Sequence, residues 1–262
     1  MEITDLKISD SALSRHSLES TLKNEAIALV YQPILSGSEC RITGVEALTR
    51  VGKGDISSPS TELFISRMEE EGLIASLTSL IIGRIANDLT RNVINPFWKI
   101  HINVSPLQIL SPSGRDRLEG DLRAFSDIHS HTLALELTEN RFRIPRRECG
   151  PLGVWMETLK FRSGDLCWFL DDFGRGENFD ALDLPVTGLK IDREFSTRGS
   201  LRPLKAIARI AAGLGLETIA EGIETREDLH RIRSAGILDF QGYLAWKPLP
   251  LEKLKELGVG RK

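Results

Sequence analysis

Two adjacent aspartates, Asp171 and Asp172, end the apolar run LCWFLDD and precede a glycine-rich turn. Neighbouring carboxylates repel each other, so such a pair needs a cation or water to offset the repulsion. A single aspartate at a strand end is commonly a helix N-cap or a solvated loop residue. Whether this pair does chemistry therefore depends on the polar residues that lie beside it.

Polar residues also end most of the other apolar runs of the chain. They are Glu46, Asn103, Glu136, Lys190, Asp192, Glu221 and Gln241. Asn103 or Asp192 taken alone could equally cap the turn that follows it. Several carboxylates gathered without a cation, however, would repel each other strongly and lose their hydration. The series as a whole therefore predicts a metal site.

The ligand atoms on offer are carboxylate and amide oxygens, which favours Mg²⁺ or Mn²⁺ over structural zinc. Adjacent aspartates suit two ions about 4 Å apart, with Asp171 shared between them and Asp172 on one. Two such ions activate water, so a phosphate ester is the natural substrate. Lys190 could orient that water and Arg50 could bind a phosphate oxygen. We expect His101, on the same strand face as Asn103, to be packed or hydrogen-bonded rather than a ligand.

The elements that must position these residues form a regular series of short apolar runs. They are IALVYQPIL, RITGVEALTR, FWKIHINVS, TLALELTE, LCWFLDD, TGLKID, LETIAEG and ILDFQGYL. Segments with helical spacing lie between most of them: 64–89, 116–125, 152–161, 204–214 and 226–234. Alternating strands and helices are typical of parallel strands with helical crossovers.

Eight such units in 262 residues predict an α/β fold, a closed (β/α)8 TIM-like barrel. Only SGSEC separates the first two runs, which is too short for a crossover, so the first strand should be antiparallel. A helix over 11–25 would form an N-terminal lead-in, residues 1–26, packed on a barrel domain of residues 27–262. We interpret the chain as a single domain.

Composition excludes several classes of protein. The hydrophobic fraction of 41% and the charged fraction of 27% are those of a globular protein, and a net charge of −3 gives no general attraction to nucleic acid or membrane. Cys40, Cys149 and Cys167 form no CxxC pair, which fits the reducing cytoplasm. The most apolar stretch, GLIASLTSLIIGRIA, is interrupted by polar residues and predicts no membrane span.

The segment GVEALTR resembles the signature of the EAL domain, a bacterial phosphodiesterase module that linearises cyclic di-GMP to pGpG. A lone EAL tripeptide carries no weight. Here YQPI precedes it and NVSP, ELTE, DDFG, LKID, AEGIE and QGYL with KP follow in order. The resemblance covers about residues 28–250.

The resemblance implies a role for each matching residue. Metal ligands would be Glu46, Asn103, Glu136, Asp171, Asp172 and Glu221; catalytic residues would be Glu46, Lys190 and Glu221; substrate contacts would be Gln32, Leu48, Arg50, Asp192 and Gln241. Glu139 would stabilise the loop after DDFG. The family fold is a barrel with an antiparallel first pair of strands, and homodimers are common.

Two segments depart from the family pattern. The loop after DDFG, RGENFDALDLP, is about two residues shorter, and Arg175 stands where threonine is usual. Because that loop couples dimerisation to metal binding in the family, the change bears on regulation. Thr49 and Val51 beside Arg50 are also unusual and could loosen contacts to a guanine base.

Three alternatives to this enzyme have different support in the sequence. Some EAL domains are non-catalytic cyclic di-GMP receptors or protein-binding regulators, but here every metal and lysine position is present. A kinase is excluded, because DFG occurs without a glycine-rich loop, a V-A-I-K lysine or an H-R-D motif. Hydrolysis of nucleic acid by the same ions lacks the support of a basic groove.

Overall fold

Eight strands close into one barrel in a computed structural model that describes residues 14–23, 27–51, 59–91, 94–127, 132–138, 144–163, 166–174 and 178–258. The strands are β1 Ile27–Ser36, β2 Arg41–Val51, β3 Lys99–Val104, β4 Leu133–Leu137, β5 Leu166–Phe173, β6 Gly188–Ile191, β7 Glu217–Ala220 and β8 Asp239–Phe240. They neighbour one another in chain order. The predicted barrel is confirmed.

The first strand runs against the others. β1 pairs antiparallel with both β2 and β8, and the remaining neighbours are parallel. A four-residue turn joins β1 to β2 and includes Gly37 and Cys40, both with positive φ. This tight turn leaves no room for a crossover, as SGSEC indicated. Antiparallel β1 therefore presents its early residues at the carboxyl end of the other strands.

The helices surround the barrel. They are α1 Arg15–Lys23, α2 Pro59–Glu70, α3 Ile74–Thr90, α4 Pro106–Leu110, α5 Pro112–Ser126, α6 Arg146–Ser163, α7 Arg193–Thr197, α8 Leu201–Leu214, α9 Arg226–Ser234 and α10 Leu251–Gly258. The segment 64–89, which has continuous helical spacing, is divided into α2 and α3 because Gly72 adopts φ +68 between them.

The described part of the N-terminal lead-in contains a helix within the predicted span of 11–25. The described helix α1 covers Arg15–Lys23, packs on α3 and buries Leu18 completely. Residues 1–13 and 24–26 lie outside the described part of the chain. The division at residue 26 therefore stays a prediction.

Side-chain caps fix where several helices begin after the strands. The hydroxyls of Ser105, Ser111 and Ser200 accept hydrogen bonds from backbone N–H groups at the starts of α4, α5 and α8. Thr225 and Asp228 form a capping box on α9. Each cap satisfies N–H groups that the first helical turn leaves unpaired, and so defines the loops at the carboxyl end of the barrel.

The barrel interior has its own small apolar layer, separate from the larger core between strands and helices. Ile34, Ala134, Phe169 and Ile219 form it, with Cys167 packed alongside. Gly188 makes room for the Phe169 ring, since a Cβ on Gly188 would lie 2.2 Å from Phe169 Cε1. We call this layer the apolar floor, because the polar residues described below lie directly above it in the barrel.

Two sequence expectations concern membranes and cysteines. Among the described helices, none combines the length and the apolar composition that crossing a bilayer requires. Cys40, Cys149 and Cys167 are all free thiols, in agreement with the absence of paired cysteine motifs.

Candidate active site

A layer of polar side chains lies at the carboxyl end of the barrel. Its members are Glu46, Asn103, Glu136, Asp171 and Lys190 on β2 to β6, and Glu221 and Gln241 directly after β7 and β8. Gln32 joins them because antiparallel β1 pairs it with Glu46. Side chains alternate along a strand, so Phe169 and Ile219 point to the apolar floor while Asp171 and Glu221, two residues later, reach this layer.

Lys190 lies at the centre of four carboxylates. Its Nζ is 2.6 Å from Glu221 Oε1, and it is also close to carboxylate oxygens of Glu136 at 2.9 Å and of Glu46 and Asp171 at 3.2 Å. The lysine side chain is only 1% exposed. One ammonium thus offsets part of the charge of four acidic groups from four different strands or loops.

Glu46 is held by two amides as well as by Lys190. Asn103 Nδ2 donates to Glu46 Oε1, and Gln241 Nε2 donates to Glu46 Oε2, each at 2.8 Å. Burial by itself raises the pKa of Glu46, but the charge of Lys190 and the amide hydrogen bonds outweigh burial and lower the pKa below its usual value. Glu46 is therefore a carboxylate fixed in position.

Glu136 is fully buried and contacts His101. Nδ1 of His101 lies 2.7 Å from Oε1 of Glu136, and Oε2 of Glu136 is the oxygen beside Lys190. The expectation of a hydrogen-bonded histidine is confirmed. Burial, followed by the charge of Lys190, lowers the pKa of His101 to about 3, so the imidazole is neutral.

The other carboxyl groups are shifted toward their protonated forms. Burial raises the pKa of Glu136 well above its ordinary value, although Lys190 acts in the opposite direction. Burial likewise raises the pKa of Asp171, and it raises that of Glu221 to about 8. Buried carboxylates therefore retain protons that a cation bound among them would displace.

Asp171, Asp172 and Glu221 bring one carboxylate oxygen each to within 4.8 Å of one another. Asp172 adopts φ +51, a left-handed conformation that aspartate tolerates better than most residues. Gly174 has φ +104, and a Cβ there would lie 2.8 Å from Phe195 Cε2, so the backbone approaches the Phe195 ring closely. The donor set is the all-oxygen kind that suits Mg²⁺ or Mn²⁺, so these residues fit the ions predicted for them.

Two glycines hold Glu221 and Gln241 at the site. Gly222 has φ +68, and a Cβ there would lie 2.4 Å from Arg193 Cβ. A Cβ on Gly242 would lie 2.1 Å from the backbone oxygen of Ile223. The glycines of AEG and QGYL are therefore required by close backbone approach, and they set the loops that carry Glu221 and Gln241.

The residues predicted to contact substrate surround this layer. Gln32 Nε2 donates to the backbone oxygen of Trp246 at 3.3 Å, and half-buried Arg50 donates from Nη1 to the backbone oxygen of Thr49. Leu48 is partly buried near the same end of β2. Within the described residues, Arg50 Nε and Gln241 Oε1 are buried without a hydrogen-bond partner, so both atoms can bond to water or to a polar ligand.

Asp192 has a structural role in the observed geometry. Its Oδ1 accepts a hydrogen bond from the backbone N–H of Glu194 at 2.8 Å and caps α7. This is the capping alternative considered for Asp192 alone. A contact between Asp192 and substrate stays a prediction.

Two predicted positions lie outside the described residues. They are Glu139, in ELTE, and Arg175, in the loop after DDFG. Conversely, sequence reasoning did not identify the partner of His101 or the Trp246 carbonyl as a partner of Gln32. Strand alternation placed His101 beneath Asn103 but could not name Glu136 of the neighbouring strand β4 as its partner. A backbone carbonyl leaves no signal in a sequence.

Curated relatives are similar in sequence to most of this chain. The chain is 33% identical over 244 residues to a probable cyclic di-GMP phosphodiesterase, PdeB, of Escherichia coli K12, covering 90% of this chain and 45% of the relative. It is 30% identical over 240 residues to a cyclic di-GMP phosphodiesterase of Pseudomonas aeruginosa PAO1, covering 88% and 40% respectively. The chain spans less than half the length of these two relatives.

Solved structures with the same fold include two proteins with bound nucleotides. An EAL enzyme in a form bound to cAMP and cyclic di-GMP superimposes with a TM-score of 0.79 at 26% identity, covering 96% of this chain and 71% of that chain. The PaMucR phosphodiesterase in complex with c-di-GMP gives 0.76 at 27% identity, covering 91% and 98%. A family model described as the EAL domain matches residues 15–248. The chain therefore belongs to the EAL domain family.

Proposed function

We propose that this protein is a metal-dependent phosphodiesterase that hydrolyses cyclic di-GMP to linear pGpG. The observation that carries the proposal is the set of four carboxylates around Lys190 at the carboxyl end of the barrel, where barrel enzymes do their chemistry. Relatives named as cyclic di-GMP phosphodiesterases, and neighbours solved with that nucleotide, support the choice of substrate.

The ligands for two Mg²⁺ or Mn²⁺ ions would be Glu46, Asn103, Glu136, Asp171, Asp172 and Glu221. Such ions lower the pKa of bound water and offset charge on the phosphate. The cluster of Asp171, Asp172 and Glu221 supports this assignment, as does the oxygen-only donor set.

The chain's own residues would orient the reactants. Glu46 is fixed by Asn103 and Gln241, so its carboxylate has one defined direction. Lys190, charged and buried, would donate a hydrogen bond to the attacking water and stabilise negative charge that develops on the phosphate. Both groups are already in place, which reduces the reorganisation that the reaction requires.

Substrate recognition would involve residues at the rim of the polar layer: Gln32, Leu48, Arg50, Asp192 and Gln241. Arg50 is the candidate for a phosphate oxygen, because its guanidinium is half-buried and its Nε has no partner among the described residues. Gln241 Oε1 is a matching unpaired acceptor for a donor group of the nucleotide.

The alternative is a non-catalytic receptor that binds cyclic di-GMP or a regulator that binds another protein. Purified protein should be incubated with cyclic di-GMP and Mg²⁺, or Mn²⁺, and the products separated by chromatography. The proposal predicts pGpG with the wild type and none with Glu46→Ala, while Glu217→Ala at the opposite end of β7 remains active. Binding of cyclic di-GMP without turnover in either metal would support the receptor instead. If cyclic di-GMP does not bind at all, the result would support the protein-binding regulator.

A homodimer is proposed on the family resemblance, with the loop around Arg175 as the segment that differs. Sedimentation of the wild type and of Arg175→Thr, with turnover measured on the same samples, tests whether that loop matters. Unchanged sedimentation and turnover would make Arg175 a solvated turn residue, and a change in both would assign the loop a coupling role.

A further inference from the structure

His101 forms a buried pair with Glu136, one of the proposed metal ligands, and the histidine itself has no role in the proposed reaction. His101 is 2% exposed and Glu136 is 0% exposed, and Nδ1 of one lies 2.7 Å from Oε1 of the other. An ionised carboxylate only accepts hydrogen bonds, so at this distance His101 Nδ1 must be the donor to a metal-bound Glu136. The hydrogen bond comes from the layer beneath the carboxylates.

The imidazole has little freedom to turn away. Its ring packs on Phe169 with 5.0 Å between ring centroids, and the Phe169 ring in turn lies over Gly188. The imidazole is only 2% exposed, so it is enclosed beside Glu136.

The two oxygens of Glu136 consequently have different surroundings. Oε1 is bound to His101 on the floor side, and Oε2 lies 2.9 Å from Lys190, on the side of the other carboxylates. A carboxylate that binds an ion with both oxygens must turn both toward it. Ca²⁺ commonly takes carboxylates in this bidentate way, whereas Mg²⁺ requires tight octahedral geometry with shorter bonds.

We propose that His101 is a positioning residue that restricts Glu136 to binding a metal ion through Oε2 alone, and that it thereby favours Mg²⁺ or Mn²⁺ over Ca²⁺. This inference rests on the metal site of the proposed function. It concerns which ion the site selects. Second-layer partners of metal ligands typically change metal affinity 10- to 100-fold, roughly, when removed.

The test is a calorimetric titration of chelator-treated protein with Mn²⁺ and, separately, with Ca²⁺. His101→Phe keeps a flat ring against Phe169 but has no donor, and His101→Asn keeps an N–H donor near the position of Nδ1. We expect the Mn²⁺ preference over Ca²⁺ to fall about tenfold in His101→Phe and to stay within about twofold of wild type in His101→Asn. An unchanged preference in folded His101→Phe would overturn the proposal. Wild-type protein that binds neither ion would instead refute the metal site itself.

A second measurement does not depend on the variants folding. In ¹⁵N-histidine-labelled wild type loaded with Mg²⁺, the solvent-protected imidazole should carry its proton on Nδ1, with a slowly exchanging resonance. A proton on Nε2 would overturn the proposal, because Nδ1 could then not donate to Glu136.

Discussion

Lys190 Nζ and Glu221 Oε1 lie 2.6 Å apart although the two residues come from β6 and from the loop after β7. The same ammonium contacts Glu46, Glu136 and Asp171. The arrangement gathers more negative than positive charge in a buried layer. Lys190, the protons that the carboxyl groups retain, and any bound cations each reduce the repulsion in this layer.

Lys190→Met should therefore destabilise the metal-free protein strongly. Removing one partner of a buried ion pair typically costs about 3–5 kcal/mol, because the remaining charges stay desolvated. Urea unfolding in the presence of a chelator measures the loss of stability, which should shrink at low pH as the carboxyl groups take up protons.

Lys99→Met is the matched control. Lys99 pairs with Glu217 at the partly exposed opposite end of the barrel, where loss of a pair costs about 0–1 kcal/mol. Equal effects of the two substitutions would contradict the central role of Lys190.

Stability of the metal-free protein should fall as pH rises from about 5 to 8. Burial raises the pKa of Glu221 from 4.5 to about 8, so in this interval the folded protein binds more protons than the unfolded chain. By linkage, the Glu221 carboxyl alone lowers the free energy of unfolding by about 3 to 4 kcal/mol across the interval. The pKa of His101, which falls from 6.5 to about 3, acts in the opposite direction between about pH 5 and 7 and offsets about 2 kcal/mol of this decrease. The raised pKa values of Glu136 and Asp171 act in the same direction as that of Glu221, so the net expectation is a decrease.

Thermal unfolding with chelator and with saturating Mn²⁺ measures this dependence. Bound ions take the place of the protons, so the decrease should be smaller with Mn²⁺, and Glu221→Gln should reduce it in the metal-free protein. The same pH slope with and without metal would show that the ions do not bind at these carboxylates.

Gly222→Ala should lower both stability and turnover. A left-handed backbone costs alanine about 1–2 kcal/mol, and the new Cβ would in addition collide with Arg193. Gly236→Ala is the control, because Gly236 also has positive φ but an added Cβ meets nothing within 4 Å. Since Gly222 follows Glu221, a shift of about 1 Å there should reduce turnover roughly 100-fold in Gly222→Ala only. Similar turnover in the two variants would mean that the position of Glu221 is not critical.

Much of the fold could be predicted from the chain because its strands are short apolar runs that end in polar residues. Barrel closure and the antiparallel β1 followed from the number of runs and from SGSEC. The division between α2 and α3 was not seen, because apolar periodicity continues across Gly72. The helices α4 and α7, of five residues each, are too short to show a period. β8 is limited to Asp239–Phe240, since Gly242 turns the chain immediately afterwards.

The members of the site could also be predicted, whereas their contacts could not. Parallel strands deliver Glu136, Asp171 and Lys190 to one end of the barrel whatever their side chains do. That Lys190 meets four carboxylates depends on side-chain conformations in the barrel interior, and that His101 contacts Glu136 depends on those between the neighbouring strands β3 and β4. Asp192 shows that a carboxylate at a strand end can instead cap the following helix by accepting a backbone hydrogen bond.

The most direct test of the account is hydrolysis of cyclic di-GMP in water enriched in ¹⁸O, with Mg²⁺ or Mn²⁺ supplied to chelator-treated protein. Mass spectrometry of the product should show pGpG with one ¹⁸O in its terminal phosphate, and the chelator alone should give no product. Cyclic di-GMP that stays intact with either metal would contradict a water-activating phosphodiesterase, as would a linear product without the label.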